Sequence, residues 1–307
     1  MDKKTLFAFL IIAVIILLTP AYFNIIAPFV EPVATDSVAV TAQKATYVQT
    51  PYTPPSDKEA LPLEQKSIHE ETYSVNTELY SATVSSTNGG SLISFTLNNY
   101  SYLNIGPVQL INDRNQQNLL LSFRSVDGEY VKLSGPWEPV NNVSPGFISS
   151  EFSLRFRKAL GNSWVYKTVT FYPDNYIINI ETDLSSAEPF ISQGIYSLSW
   201  VGGLPITEKN VSDDITYFDA YIYQGGELHS PKLTEKEEPK EDNIIGETAW
   251  AAVRTKYFVS ALIPDVPGLG GKTSGYKSGD LEKVYSVALS LSAHQHKNIR
   301  LYLGPLE

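Results

Sequence analysis

Few residues of this chain have types and spacings suited to catalysis. There are four histidines: His69, His229, His294 and His296. His294 and His296 stand two apart, a spacing that puts two imidazoles on one face of a strand, as some metal sites require. A metal needs further ligands, and the sequence offers no His-x-x-x-His, no paired acidic motif and no cysteine. The simpler reading of the pair is a polar strand end before Lys297-Asn298. General acid–base work needs an acid and a base held together, and His294 and His296 have no acidic neighbours in sequence. Gly202-Gly203 and Gly268-x-Gly270-Gly271 are glycine-rich, but neither precedes a helix that would aim amides at a phosphate, so both are expected in loops. No Gly-x-Ser-x-Gly nucleophile elbow is present. The expectation is therefore no catalytic centre, no metal and no cofactor.

Binding residues are better represented. Tyr217, Asp219, Tyr221 and Tyr223 are spaced to share one face of a strand, giving an aromatic stripe. Cross-strand packing is the economical explanation of such a face, and a partner surface is the alternative. The charge run from Thr234 to Asp242, with Glu235, Glu237 and Glu238, reads as a solvated loop that can rim such a surface. Trp137, Trp164, Trp200 and Trp250 can stack on sugars in principle, but tryptophan in a β domain is more often core.

Strands are the elements that must position these groups. Tyr80, Ala82 and Val84 alternate with Ser81, Thr83 and Ser85. Thr87-Asn88-Gly89-Gly90 then supplies a turn, and Ile93, Phe95 and Leu97 alternate with Ser94, Thr96 and Asn98. Leu154 and Phe156 alternate with Arg155 and Arg157. Val165, Val169 and Phe171 lead to the turn Pro173-Asp174-Asn175 and the alternation Tyr176, Ile178, Ile180. Tyr285, Val287, Leu289 and Leu291, then Ile299, Leu301 and Leu303, repeat the pattern near the end. Many short strands with regular turns predict an all-β sandwich or barrel. Ala249–Ile263 fits a helix as well as strands, since Trp250, Val253 and Tyr257 also satisfy a helical period.

The N-terminus differs in kind. Lys3-Lys4 precede an apolar run, Leu6–Leu18, that continues less strictly to Phe23. Its length, and the bulky Thr19-Pro20-Ala21-Tyr22-Phe23 where a signal peptidase wants small residues, predict a retained membrane helix over residues 1–30. The two lysines keep the N-terminus cytoplasmic and export the rest. Residues 31–71, rich in Pro and Thr, read as a linker. Residues 72–307 are then the β domain. With a net charge of −10 and a pI near 5.0, the chain is an unlikely match for nucleic acid, and none is expected as a partner. Without cysteine it has no disulfides and carries no lipid on a thiol.

Several stretches resemble the YidC membrane-protein insertase family. Thr87-Asn88-Gly89-Gly90-Ser91-Leu92 is similar to the family's opening Gly-Gly turn, and Tyr166–Phe171 with Asp174-Asn175-Tyr176-Ile177 to its central hairpin. Gly246-Glu247-Thr248-Ala249-Trp250 followed by Lys256–Pro264 is the most specific match. Leu301-Tyr302-Leu303-Gly304-Pro305-Leu306-Glu307 is similar to the closing strand of the family's periplasmic domain. The resemblance implies a periplasmic β-supersandwich, mutarotase-like, behind one N-terminal transmembrane helix in the inner membrane; the period-two patterning and the absence of disulfides predict that the domain folds alone as a monomer. The resemblance also implies a role in inserting and folding nascent membrane proteins, alone or with the Sec translocon. The family's later membrane helices, which hold the substrate groove, have no counterpart before Glu307, so the chain is expected to be the N-terminal portion of such a protein. A periplasmic carbohydrate-binding or epimerase-like protein on the same fold, and a membrane-tethered adaptor, are the alternatives.

Overall fold

The computed structural model describes residues 69–102, 106–141, 146–231, 240–278 and 282–306, all within the unit Pro55–Glu307. The expected anchor and most of the linker lie outside the described residues. So do Glu235, Glu237 and Glu238. Among the described residues, no helix is long and apolar enough to cross a membrane.

The described chain is all-β apart from a 3-10 turn at Ser185–Phe190 and one short helix, α1, at Val211–Thr216. Eighteen strands run in the order β1 Thr72–Asn76, β2 Tyr80–Ser85, β3 Ser91–Tyr102, β4 Gly106–Gln109, β5 Leu120–Ser125 and β6 Tyr130–Lys132. There follow β7 Glu138–Pro139, β8 Phe152–Leu160, β9 Ser163–Phe171, β10 Ile177–Asp183, β11 Ile191–Trp200 and β12 Asp219–Gln224. The last are β13 Glu227–His229, β14 Lys240–Arg254, β15 Phe258–Pro264, β16 Gly268–Ser278, β17 Glu282–Ser292 and β18 Lys297–Pro305. β1 to β4 form a four-stranded meander. The others form one large antiparallel sheet, ordered β6-β5-β11-β17-β16-β14-β15-β18-β10-β9-β8-β7, with the β12–β13 hairpin laid along β14. The last described strand, β18, therefore lies inside the sheet, between β15 and β10.

The two sheets share one core. From the meander come Tyr80, Ala82, Val84, Phe95 and Leu97; from the large sheet come Phe156, Val169, Phe171, Ile178, Leu262 and Leu301. Each of the valine, leucine, isoleucine and phenylalanine side chains contributes roughly 1.5–3 kcal/mol by leaving water. Contacts between the sheets are specific: Tyr73 and Phe156 rings lie 6.0 Å apart, and the Tyr80 hydroxyl donates to Tyr172 O at 2.9 Å. The turn Asn88-Gly89-Gly90 has positive φ throughout and is pressed into this core. A Cβ on Gly89 would meet Trp137 at 2.8 Å, and one on Gly90 would meet Val169 at 2.7 Å, which is why glycine stands at both.

Three expectations change. The period of two in β3 slips at Ile93, because a bulge sets Thr83 opposite Ser94 but Val84 opposite Leu92; Leu92 is buried and Ile93 is not. Gly268, Gly270 and Gly271 belong to strand β16 rather than a loop. A Cβ at Gly270 would approach Ile244 O to 2.5 Å and one at Gly271 would reach Ile222 Cδ1 at 2.7 Å, so these glycines admit close neighbours. The charge run is not loop to its end, since Lys240, Glu241 and Asp242 open β14 opposite Gly275, Ser274 and Thr273. The ambiguous stretch Ala249–Ile263 is two strands and a turn, in which Thr255 Oγ1 accepts the Phe258 amide at 3.1 Å.

Candidate functional site

The predicted tyrosine stripe divides. Tyr221 and Tyr223 lie on β12, facing away from the core side chains Ala220 and Ile222. Tyr217 does not join them, because the chain is helical up to Thr216 and Tyr217 is the residue that ends α1. Its ring lies 5.7 Å from Lys256 Nζ, which also lies 4.9 Å from the Tyr257 ring and donates to Asp213 Oδ2 at 2.6 Å. The ion pair with Asp213 holds the Lys256 ammonium above its ordinary pKa.

What joins Tyr223 instead is a row across three strands. Leu228 of β13 and Trp250 of β14 are its register partners on either side. The Tyr223 and Trp250 rings stack, 5.5 Å apart and 13° from parallel. Tyr221 stands opposite Ala252, and that row continues through Ala261 to Tyr302. Burial first, then the Asp219 carboxylate, raises the Tyr221 hydroxyl above its ordinary pKa. Leu228 is half exposed, and Ile245, at the bulge of β14, is 93% exposed. Scattered apolar residues on a surface need no explanation, but a stacked aromatic pair in register with a half-exposed leucine is the pattern of an interaction surface. Trp250 reads from sequence as core and Leu228 carries no signal of its own, because only register between strands brings the two to Tyr223.

A second cluster, unforeseen from sequence, is buried. Lys167 stands in phase with Val165, Val169 and Phe171 on the inward face of β9 and is fully enclosed. Its Nζ donates to the carbonyls of Asn88, at 3.0 Å, and Leu119. Both acceptors belong to non-glycine residues at φ 56°, so two left-handed kinks aim carbonyls at one amine. Burial pushes the amine down to about 7. Around it Asn118 exchanges hydrogen bonds with the Leu92 backbone at 2.8 and 2.7 Å, and Asn115 Nδ2 donates to Gly203 O at 3.0 Å. A Cβ on Gly202 would sit 2.1 Å from Arg114 O. Gly202-Gly203 thus exists for close backbone approach, as a loop element of this seam. The signal for Lys167 was legible: a lysine in step with an apolar stripe.

The remaining candidates do not converge. His294 and His296 lie in the segment between β17 and β18, not on a strand face. His294 Nδ1 is 3.5 Å from Glu188 Oε1, an acidic neighbour supplied in space rather than sequence, but its side chain is 66% exposed. His296 lines a separate shallow gap of about 190 Å³ with Asp265 and Lys297. Among the described residues no group of three or more His, Cys, Asp or Glu is placed to hold a metal ion. Trp137 and Trp200 are core, whereas Trp164 is partly exposed beneath Arg157 at 4.4 Å, and Arg157 is bonded to Glu138 at 2.8 and 2.9 Å.

Residues 72–307 match the family model described as the YidC periplasmic domain. The membrane protein insertase YidC of Chlorobium phaeovibrioides is 30% identical over 246 residues, covering 76% of this chain and 42% of that protein. That of Chloroherpeton thalassium is 28% identical over 330 residues, covering 100% of this chain and 56% of that protein. The chain spans about half the length of the curated relatives it matches. A solved structure of a putative aldose 1-epimerase from Escherichia coli is 10% identical, covers 78% of this chain and 100% of its own, and superposes with a TM-score of 0.45. That likeness is too loose to carry chemistry across.

Proposed function

The chain belongs to the YidC periplasmic-domain family, and from that premise we propose that it is the anchor and exported domain of a membrane-protein insertase. Residues 1–30 are the transmembrane helix, 31–71 the linker and 72–307 a mutarotase-like supersandwich on the periplasmic side of the inner membrane. The domain assists the insertion and folding of nascent membrane proteins, alone or beside the Sec translocon. It acts by binding, as a monomer, without a catalytic centre or cofactor. The observation that carries this reading is the family match over the whole of 72–307.

The partner surface in this reading is the outer row Tyr221, Tyr223, Leu228 and Trp250, extended by the exposed Ile245 of β14. Aromatic anchors supply most of the energy at interface centres. Glu235, Glu237 and Glu238 follow the β12–β13 hairpin in sequence and would tune encounter rate more than affinity. Tyr217 belongs to a different surface. The test is a photocrosslinking residue at Tyr223 in membranes that contain the translocon and a nascent membrane protein, with Val126 on the β5–β6 turn as control. Adducts to either partner from position 223 alone are expected. Equal labelling from both positions overturns the surface, and sugar turnover lost in His294→Ala or His296→Ala overturns the non-enzymatic reading.

A further inference from the structure

The surface that Tyr217 does join surrounds the last described residues. Tyr217, Tyr257 and Leu306 are each about two-fifths exposed, and Val211 at the start of α1 is nearly as open. They are contiguous: Lys256 Nζ reaches both tyrosine rings, and the Leu306 amide donates to Tyr257 O at 2.7 Å. Beside them opens a cleft of about 270 Å³ whose apolar wall includes Tyr100, Val108 and Phe258. Thr207 and Glu208 supply its polar wall; the Thr207 hydroxyl is buried and has no partner.

We propose that this collar of Tyr217, Tyr257 and Leu306, centred on Lys256, is the surface by which the domain rests on the headgroup layer of a bilayer. Tyrosine has an apolar body and a polar tip, and it concentrates where hydrocarbon meets water. Lysine lays its stem along apolar surface and keeps its ammonium in the headgroup layer. The chain itself brings the bilayer within reach. The apolar run Leu6–Leu18 places a membrane at one end of residues 31–68, a segment that spans at most ~130 Å. A tethered surface meets its partner at high effective concentration, so a small patch suffices. The chemistry also selects the lipid. Lys256 is neutralised by Asp213, and the whole chain carries −10, so attraction to anionic headgroups is weak. The carboxylate of Glu208, on the cleft wall, instead suits the ammonium of phosphatidylethanolamine.

This proposal rests on the reading of residues 1–30 as an anchor, and flotation separates the two. The chain has no cysteine, so single substitutions Tyr257→Cys, Leu306→Cys and, on the β5–β6 turn, Val126→Cys give unique fluorophore sites. The full chain is reconstituted alone in phosphatidylethanolamine-rich vesicles containing nitroxide-labelled lipid. Expected are flotation of all three variants and quenching at 257 and 306 but not 126. High salt leaves the quenching unchanged, because it does not depend on exposed net charge. Adding Tyr217→Ser and Tyr257→Ser to the Leu306→Cys variant abolishes quenching while the melting curve stays that of the parent. Flotation with no quenching at 257 and 306, or with equal quenching at all three sites, overturns the collar and leaves the anchor standing. Shielding of 257 and 306 only in native membranes assigns the collar to a protein and overturns the lipid assignment. A chain that does not float overturns the anchor and the collar together.

Discussion

Around Lys167 a polar side chain is enclosed by an apolar interior, whereas around Tyr223 apolar side chains face solvent. Both regions break the alternation that builds the rest of the domain, in opposite senses. An enclosed amine is tolerated only where every donor finds an acceptor, and here two kinked backbones 31 residues apart, at Asn88 and Leu119, are shaped to meet it. The outer aromatic row needs no such accommodation; its rings are held by the stacking of Tyr223 on Trp250 and lie partly open to solvent. The difference separates two reasons for an out-of-place residue. One couples to the architecture around it; the other is left free for something outside the molecule.

The contrast predicts very different mutational costs. Lys167→Ala removes a buried stem and strands two carbonyls, so it should cost ~4 kcal/mol and lower Tm by about 10 °C in a thermal melt followed by circular dichroism. A loss below about 1 kcal/mol would show that the seam carries no more weight than a surface residue. Gly202→Ala, at φ 86° with Arg114 O in the way, should cost about 2 kcal/mol and is read from the denaturant midpoint. Lys167 also gives a pH signature. Its folded pKa of about 7 lies below its ordinary 10.5, so between those values the unfolded chain binds more protons and stability rises with pH. Tm should climb from pH 7 toward 9.5, and Lys167→Met should flatten that rise. A wild-type profile already flat there would contradict the enclosed amine. Above pH 10 the trend reverses, because burial raises the hydroxyls of Tyr80, Tyr196 and Tyr285, and the unfolded chain ionises first.

On the outer face the expected stability effects shrink. Trp250→Ala loses one stacked cross-strand pair, about 1 kcal/mol, while crosslinking from position 223 should disappear. Ile245→Asp should leave stability within about 0.5 kcal/mol and still weaken association. If Ile245→Asp instead lowers Tm as much as Gly202→Ala does, the face is architecture and the comparison collapses.

The sequence reading succeeded where structure is local. Tyr80, Ala82 and Val84, like Phe156 and Val169, point inward as their spacing says. It failed where one residue resets the phase: the bulge at Ile93 follows from its neighbour strand, and at Tyr217 a short helix, closed by bonds to Asp214 and Ile215, replaces the expected strand. Ala249–Ile263 was undecidable by period because its two strands meet at a turn held by the Thr255 side chain, which spacing does not reveal. The allotment of strands to each sheet and their order were out of reach, since β5 pairs with β11 and β10 with β18 across long sequence separations. The row Leu228, Tyr223 and Trp250 depends on that register and was legible only in part.

The interior position of β18 sets a rule for the order of assembly. A chain made from its N-terminus presents β15 and β10 with open edges until Lys297–Pro305 arrives between them. Until then the large sheet is two fragments whose facing edges can pair with any extended chain nearby. Joining them is a contact of high sequence separation, slow by nature, and it waits for the final residues of the domain. Assembly therefore ends in a single late step, and a domain lacking only its last strand should be a pair of sticky half-sheets rather than a slightly weakened whole.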